Sequence, residues 1–248
     1  MEFDKILEDL AKKINFNKYD AFSREKKCHY IKYKGVEYAF LWQTVKPDDM
    51  KKYLEDLEKL KGRIDAAKEM GARLPAILSI YHDKNHVFQL QEKVNGKKFG
   101  AIELLDEKTR VEDFIELLIT FDAMSLNNIK IDNGKNCFID DEGHINLFDC
   151  VNDDQKPQAE HNARPELFKR LVFPEPQYYT EEQIPVLTRI LEKWITACAK
   201  YFYGRCEMDK EIIYDEIDLT IKNYSFISRD EKKKMINDIL DKTLQKSK

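Results

Sequence analysis

Two oxygen-bearing side chains stand at the ends of a stretch that is typical of a β-hairpin. Asn136 comes just before the apolar run Cys137–Ile139, and Asp149 follows the alternating residues 144–148. Between the runs lies Asp-Asp-Glu-Gly, in which the glycine can take the positive φ angle that tight turns require. The pattern predicts that Asn136 and Asp149 share one edge. An amide oxygen and a carboxylate side by side can hold a hard cation such as Mg²⁺, although an ordinary surface hairpin explains the same residues.

The residues before the hairpin predict a small antiparallel sheet accompanied by helices. Apolar side chains recur at helical spacing in two segments, and runs rich in aromatic and β-branched residues predict four strands. The predicted helices span residues 2–14 and 48–70, and the predicted strands span residues 28–34, 36–45, 76–81 and 86–92.

The residues after about position 95 are predicted to be mainly helical, with the hairpin inserted among the helices. A stripe of apolar residues from Val111 to Phe121 predicts a helix that leads up to the hairpin. Three later segments repeat the helical spacing. They span residues 184–198, 209–222 and 229–244.

Two of these later helices carry start signals. The first has two possible starts, a capping box of Thr180 with Gln183 or a first helical residue at Pro185. The last helix opens with Ser228 and Glu231 at capping-box spacing. These signals bound the helices from the sequence alone.

The hairpin resembles the segment that holds the metal ions on ATP in the protein-kinase-like superfamily. In that family an Asn and the Asp of an Asp-Phe-Gly motif bind the ions. Asn136 and Asp149 match these residues in Asn-Cys-Phe-Ile-Asp and Ile-Asn-Leu-Phe-Asp-Cys. The order of predicted elements is also similar over nearly the whole chain. The resemblance implies an α+β, bilobal fold, with a small lobe over residues 1–95 and a larger, mainly helical lobe over residues 96–248.

A second similarity lies where the last predicted strand of the small lobe ends. Gln-Leu-Gln-Glu-Lys-Val-Asn-Gly, residues 89–96, resembles the hinge between the lobes of a kinase. The resemblance implies that backbone groups near Glu92 and Val94 contact the adenine of ATP. A strand that ends in an Asn-Gly turn explains the same residues. Farther along, Ala163-Arg-Pro-Glu resembles the motif that closes a kinase activation segment, which hints at a protein acceptor.

Two parts of the family that hold phosphates are missing or displaced. No glycine precedes Gly35, so the glycine-rich loop over the phosphates is absent. Leu41 stands where the phosphate-binding lysine belongs, and a leucine cannot pair with a phosphate. Lys46, at the end of the same strand, could reach back as a substitute. Its partner on the next helix would be Glu55 or Glu58, although pairing with neighbouring lysines explains both glutamates.

The catalytic aspartate is also displaced. In the family four residues separate it from the metal-binding Asn, and it orients the attacking hydroxyl, but Ile131 occupies that register here. Asp132 is the next residue, and a loop shortened by one could aim it at an acceptor. A simple Asp-Asn-Gly turn explains Asp132 equally well. Ile129 and Lys130 stand where the family has His and Arg.

Composition excludes several other classes of protein. The chain has 248 residues, of which 42% are hydrophobic and 35% charged, as in soluble globular proteins. A net charge of −4 with interspersed charges argues against a nucleic-acid binder, and no apolar run is long enough to span a membrane. Five scattered cysteines without a Cys-x-x-Cys pair favour reduced thiols. The N-terminus lacks the pattern of a secretory signal. We therefore expect a cytoplasmic protein, and delivery into another cell without a cleavable signal is compatible with the same sequence.

Two functions remain open. The chain could be a divergent phosphotransferase that uses ATP and Mg²⁺ to phosphorylate a hydroxyl on a protein or a small molecule. It could instead be a pseudokinase that binds a nucleotide or a protein partner without catalysis. Leu41 and Ile131 favour the second function, whereas Asn136 and Asp149 favour the first, because a pure scaffold does not need a metal pair.

Overall fold

The computed structural model describes residues 2–14, 27–98, 102–131, 137–154, 180–221, 224 and 226–245. Within these ranges the chain is a mixed α+β protein, as the sequence predicts. The helices are α1 (Glu2–Ala11), α2 (Pro47–Glu69), α3 (Ile102–Glu107), α4 (Val111–Leu126), α5 (Ile184–Cys206), α6 (Lys210–Ile221) and α7 (Arg229–Gln245). The strands are β1 (Lys27–Tyr33), β2 (Val36–Thr44), β3 (Ile77–His82), β4 (His86–Glu92), β5 (Lys97–Lys98), β6 (Ile129–Ile131), β7 (Cys137–Ile139), β8 (Ile145–Leu147) and β9 (Cys150–Asn152).

Four of the predicted strands form one antiparallel sheet in the order β1-β2-β4-β3. Lys34 and Gly35 both have positive φ angles, 49° and 83°, which is the geometry of a tight hairpin turn between β1 and β2. In the centre of the sheet, Leu41 of β2 lies opposite Gln89 of β4. The strands that the sequence predicts in this region are confirmed to within two residues at each end.

A helix covers each face of the sheet. Helix α1 packs on one face, where its buried Leu7 and Ala11 join a small apolar cluster. The sheet residues in this cluster are Phe40, Trp42, Phe88 and Leu90. Helix α2 lies on the other face. Alternate residues of β4 point to opposite sides of the sheet, and Val87 belongs to a second, larger core that includes apolar residues of α2. That larger core continues without interruption into the helical part.

The helical part is built around α5, which packs against α3, α4, α6 and α7. Trp194 of α5 is fully buried and meets Phe114 of α4 edge to face, with ring centroids 5.8 Å apart. Ile217 of α6 and Ile236 of α7 complete this core. None of the helices in the described ranges is long and apolar enough to cross a membrane.

Both proposed starts of α5 contribute to its first turns. The backbone N–H of Thr180 donates to the side chain of Gln183, which caps a short 3₁₀ turn over Glu181–Gln183. Pro185 then lies in the first turn of the α-helix, where its missing N–H is tolerated. At α7 the predicted capping box is confirmed, with the backbone N–H groups of Ser228 and Glu231 each bonded to the other's side chain.

Some boundaries and short elements differ from the expectation. Helix α1 ends at Ala11 rather than at residue 14, and α5 continues to Cys206. The stretch before the hairpin contains β6, which pairs with β9 as a two-stranded ribbon that the sequence pattern does not predict. The short strands β7 and β8 flank a recognisable turn, whereas β5, β6 and β9 have neither an alternating pattern nor a turn signal and so escape detection.

Candidate functional site

The hairpin that carries Asp149 is fixed by its turn. The carboxylate of Asp140 accepts the backbone N–H groups of Glu142 and His144, and the His144 ring lies 3.0 Å from its second oxygen. Partial burial alone would raise the pKa of Asp140, but these bonds outweigh burial and the pKa is lowered. Gly143 has φ 97°, and a Cβ there would lie 2.3 Å from the carbonyl oxygen of Lys108. A residue with a Cβ atom therefore does not fit at position 143 unless the backbone shifts.

Asp149 follows β8 in a left-handed backbone conformation, with φ 56°. The next residue, Cys150, is buried and begins β9, whereas Asp149 itself is half-buried. The aspartate lines two neighbouring cavities, a smaller one between the sheet and the hairpin and a larger one between α2, the sheet and the β6–β9 ribbon. Asp132 and Asn136 lie outside the described residues, so their position relative to Asp149 stays a prediction.

The smaller cavity has a volume of about 270 Å³ and is mostly apolar. Ala39 and Leu41 of β2 line it on the sheet side, together with Glu92 and Val94. On the hairpin side it is lined by Phe138 and Phe148, whose rings stack with centroids 4.6 Å apart, and by Asp149. Apolar walls with a carboxylate at one end suit a flat ring attached to a group that is positively charged or carries a bound cation.

Glu92, the last residue of β4, is tied to the sheet through its backbone and its side chain. Its N–H donates to the carbonyl of Ala76 at 3.0 Å, and its carboxylate accepts the N–H of Ala76 and the ammonium of Lys68. Burial would raise the pKa of Glu92, but these two donors outweigh it and the pKa is lowered. A purine in the smaller cavity therefore cannot use the Glu92 N–H.

The larger cavity, about 370 Å³, lies behind Asp149 between α2 and the sheet. Tyr53 of α2 lines it, and burial together with the charge of Asp149 raises the pKa of this tyrosine to about 12. Hydrogen bonds from the side chains of Gln43 and Gln89 partly oppose that rise. At neutral pH the Tyr53 hydroxyl is protonated and can donate a hydrogen bond towards the carboxylate side of the cavity.

The residues expected to replace the missing phosphate-binding lysine and its glutamate partner lie outside both cavities. Lys46 is exposed at the position that caps the start of α2, and Glu58 is exposed on the same helix. Glu55 is also exposed and lies 3.9 Å from Lys51. Among the described residues that line the larger cavity with Asp149, the one cation is Lys130 of β6.

Tyr53 and Gln89 line the larger cavity, although the sequence around them indicates an ordinary apolar stripe and an apolar strand. A tyrosine in the apolar stripe of α2 is usually a core residue, and the hydroxyl of Tyr53 faces the larger cavity here. Gln89 is 2% exposed, and its side chain is hydrogen-bonded to Gln91 and Tyr53, as a buried polar group requires. Ile131, at the register of the catalytic aspartate, is a buried residue of β6 opposite Cys150.

Comparison with known proteins supplies no relative. No model of a known protein family matches the chain, and no curated protein matches it significantly. Within the described ranges, no three His, Cys, Asp or Glu side chains converge as a metal-binding group. A Mg²⁺ ion that is bound mainly by phosphates and water needs only one or two protein carboxylates. Asp149, at the end of an apolar cavity, fits that smaller requirement.

Proposed function

We propose that this chain is a divergent, kinase-like phosphotransferase that binds ATP with Mg²⁺ in the smaller cavity. One observation carries the proposal: Glu92, Val94 and Asp149, which the sequence nominates separately, line the same apolar cavity. A purine between the Ala39 side and the stacked phenylalanines would direct its phosphates towards Asp149. The proposed lobes are residues 1–95, which include the four-stranded sheet, and residues 96–248, which include the helical core.

The proposed roles follow from the chemistry of each side chain. Asp149 and Asn136 would hold Mg²⁺, which supplies charge neutralisation for the phosphates when it is bound. Lys46 lines neither cavity, whereas phosphates that extend past Asp149 into the larger cavity would meet Lys130, which lies 3.7 Å from Asp153 and could add a second positive charge. Asp132 would orient the acceptor hydroxyl, and we propose a protein side chain as the acceptor.

A second candidate is a nucleotide-binding or partner-binding pseudokinase. Leu41 lines the smaller cavity at the position of the phosphate-binding lysine, so the sheet contributes no cation there. Weak binding of the phosphates lowers the rate of phosphoryl transfer more than it lowers the affinity for the base, because charge develops on the phosphoryl group during transfer.

A thermal-shift titration with ATP tests the shared part of the two candidates. A ligand that binds only the folded chain raises its melting temperature. At a ligand concentration of 100 times Kd, the folded state gains about 2.7 kcal/mol of stability. We expect a shift with ATP that is larger with Mg²⁺ than with EDTA, and we expect Asp149→Asn to remove the Mg²⁺-dependent part. Asp141→Asn, which changes an exposed aspartate in the hairpin turn, is the matched control and should keep it. Equal shifts in the two variants would contradict the assignment of Asp149.

A transfer assay separates the two candidates. With labelled ATP and the chain itself or a protein mixture as acceptor, the transferase predicts label on protein that Asp132→Asn and Asp149→Asn abolish. Mg²⁺-dependent binding without any transfer would favour the pseudokinase. Label that survives Asp149→Asn would exclude the proposed metal residue from the reaction.

A further inference from the structure

The ribbon of β6 and β9 has Asp149 at one end. Ile131 lies opposite Cys150, the residue that follows Asp149. At the other end, Ile129 lies opposite Asn152. A displacement of the ribbon along its own axis would therefore move Asp149 with it.

Each strand of the ribbon is entered through a left-handed residue. Asn128 precedes β6 with φ 52°, and Asp149 precedes β9 with φ 56°. Asparagine and aspartate tolerate this conformation better than other side chains do, but it still costs free energy and persists only where neighbouring contacts hold it. Asn128 also follows the C-cap of α4, where a left-handed residue is a common helix ending, and contacts from outside the ribbon can hold both residues further in place.

Arg63 of α2 supplies such a support at the end away from Asp149. One nitrogen of its guanidinium donates to the carbonyl oxygen of Asn128 at 3.2 Å and to the side-chain oxygen of Asn152 at 2.8 Å. Another nitrogen donates to the carboxylate of Asp154 at 2.7 Å. The Arg63 side chain is 17% exposed and Asp154 is 45% exposed, so the bonds to Asn128 and Asn152 are partly buried, whereas the ion pair with Asp154 lies at the surface and contributes little by itself.

Neighbouring groups close the same junction. Lys59, one turn before Arg63, donates to both carboxylate oxygens of Asp154 at 3.0 Å, and the Asn152 amide donates to the carbonyl of Asp56 at 2.6 Å. The side chains of Lys59 and Arg63 lower the pKa of Asp154. The helix is thus joined to the segment after Asp149 by charged and neutral hydrogen bonds.

We propose that Arg63 is a positioning residue that couples helix α2 to Asp149 through the β6–β9 ribbon. The inference rests on the proposed function, because it assigns to Arg63 the alignment of the Mg²⁺-binding carboxylate. Arg63 lines neither cavity, although its partners Asn152 and Asp154 line the larger one. Its loss should weaken the Mg²⁺-dependent part of ATP binding and leave the contacts to the base intact.

Calorimetric titration of the full chain with ATP, in Mg²⁺ and separately in EDTA, tests the inference. For Arg63→Ala we expect affinity about tenfold weaker in Mg²⁺ and unchanged within about twofold in EDTA. Arg63→Lys keeps the charge but lacks the planar fork, so it should not restore the affinity. Asp154→Asn, an exposed change that keeps the fold, should give a smaller loss of the same kind. Arg189→Ala, which removes an arginine paired with Asp106 away from the cavities, is the matched control.

Hydrogen exchange without ligand gives a second readout. Arg63→Ala and Asp154→Asn should each speed exchange at the backbone amides of residues 150–153, whereas Arg189→Ala should not. Unchanged exchange there, or Mg²⁺-dependent affinity that both variants keep, would overturn the role of Arg63 and leave the proposed function standing. A wild-type chain that binds ATP equally in Mg²⁺ and EDTA would overturn the proposed function and the inference together.

Discussion

Tyr53 shows how a side chain of the apolar stripe of α2 becomes part of the site. Its ring packs with the larger core, while its hydroxyl meets the amides of Gln43 and Gln89 near the charge of Asp149. An aromatic side chain suits this position because it is apolar along its body and polar at its tip. The residue thus links the interior of the helix to the carboxylate without adding a charge.

The raised pKa of Tyr53 gives a pH-dependent contribution to stability. Its folded-state value of about 12 lies above the ordinary value of 10, so the folded chain holds this proton more tightly than the unfolded chain does. The contribution is complete below pH 10 and is lost as the pH rises towards 12. Two pKa units correspond to about 2 to 3 kcal/mol. We expect the stability advantage of wild type over Tyr53→Phe to shrink by about that amount between pH 9 and pH 12 in urea unfolding.

The matched control for this experiment is Tyr30→Phe. Tyr30 is 58% exposed, and its replacement also removes one phenol that titrates in the unfolded chain. A difference between wild type and Tyr53→Phe that stays constant with pH would contradict the burial of this hydroxyl against Asp149.

At the level of elements, the sequence predicts what is long and periodic. Helix α2 and strand β4 span many residues with clear spacing, and Asp-Glu-Gly marks the turn before β8 because few other sequences accept positive φ. The ribbon of β6 and β9 could not be predicted, because its pairing joins three-residue strands through contacts distant in the sequence. The role of Arg63 was hidden for the same reason, since a surface arginine on a helix has no signal of its partner.

The turn at Gly143 and the interior of α2 offer a matched pair of glycine substitutions. Gly143→Ala would force a side chain into a left-handed residue and against the carbonyl of Lys108, and we expect it to lose at least about 2 kcal/mol of stability. Gly62 lies in α2 with open space around it, so Gly62→Ala should gain about 0.5 to 1 kcal/mol. Urea unfolding of both variants measures the difference. Similar stabilities would mean that the hairpin turn is not held as described.

At the level of the whole molecule, the sheet is enclosed by two separate apolar clusters. The larger core joins α2 to the helical part, whereas the smaller one consists of α1 and the opposite face of the sheet. The proposed nucleotide cavity lies between the sheet and the hairpin, and α1 does not line it. We expect the cavity to require α1 nonetheless, because the helix stabilises the sheet from its opposite face.

Leu7 is the test of that requirement. It is fully buried in the smaller cluster, and Leu7→Ala should cost 2 to 5 kcal/mol, the usual range for emptying such a site. Leu126→Ala, at a leucine that is 53% exposed, should change stability by less than about 0.5 kcal/mol. Denaturant midpoints of both variants give the comparison. A Leu7 variant as stable as the Leu126 variant would show that α1 is dispensable for the sheet.

The position of α1 in the chain also affects how long its apolar side stays exposed during synthesis. Its ten residues leave the ribosome well before β3 and β4, the strands that it contacts, and a helix of that length does not persist alone in water. At ordinary translation rates, roughly 4 to 16 s pass between the release of Ala11 and that of Glu92. During this interval the apolar side of the nascent segment has no native surface to cover, so it is exposed to chaperones and proteases until the sheet closes beneath it.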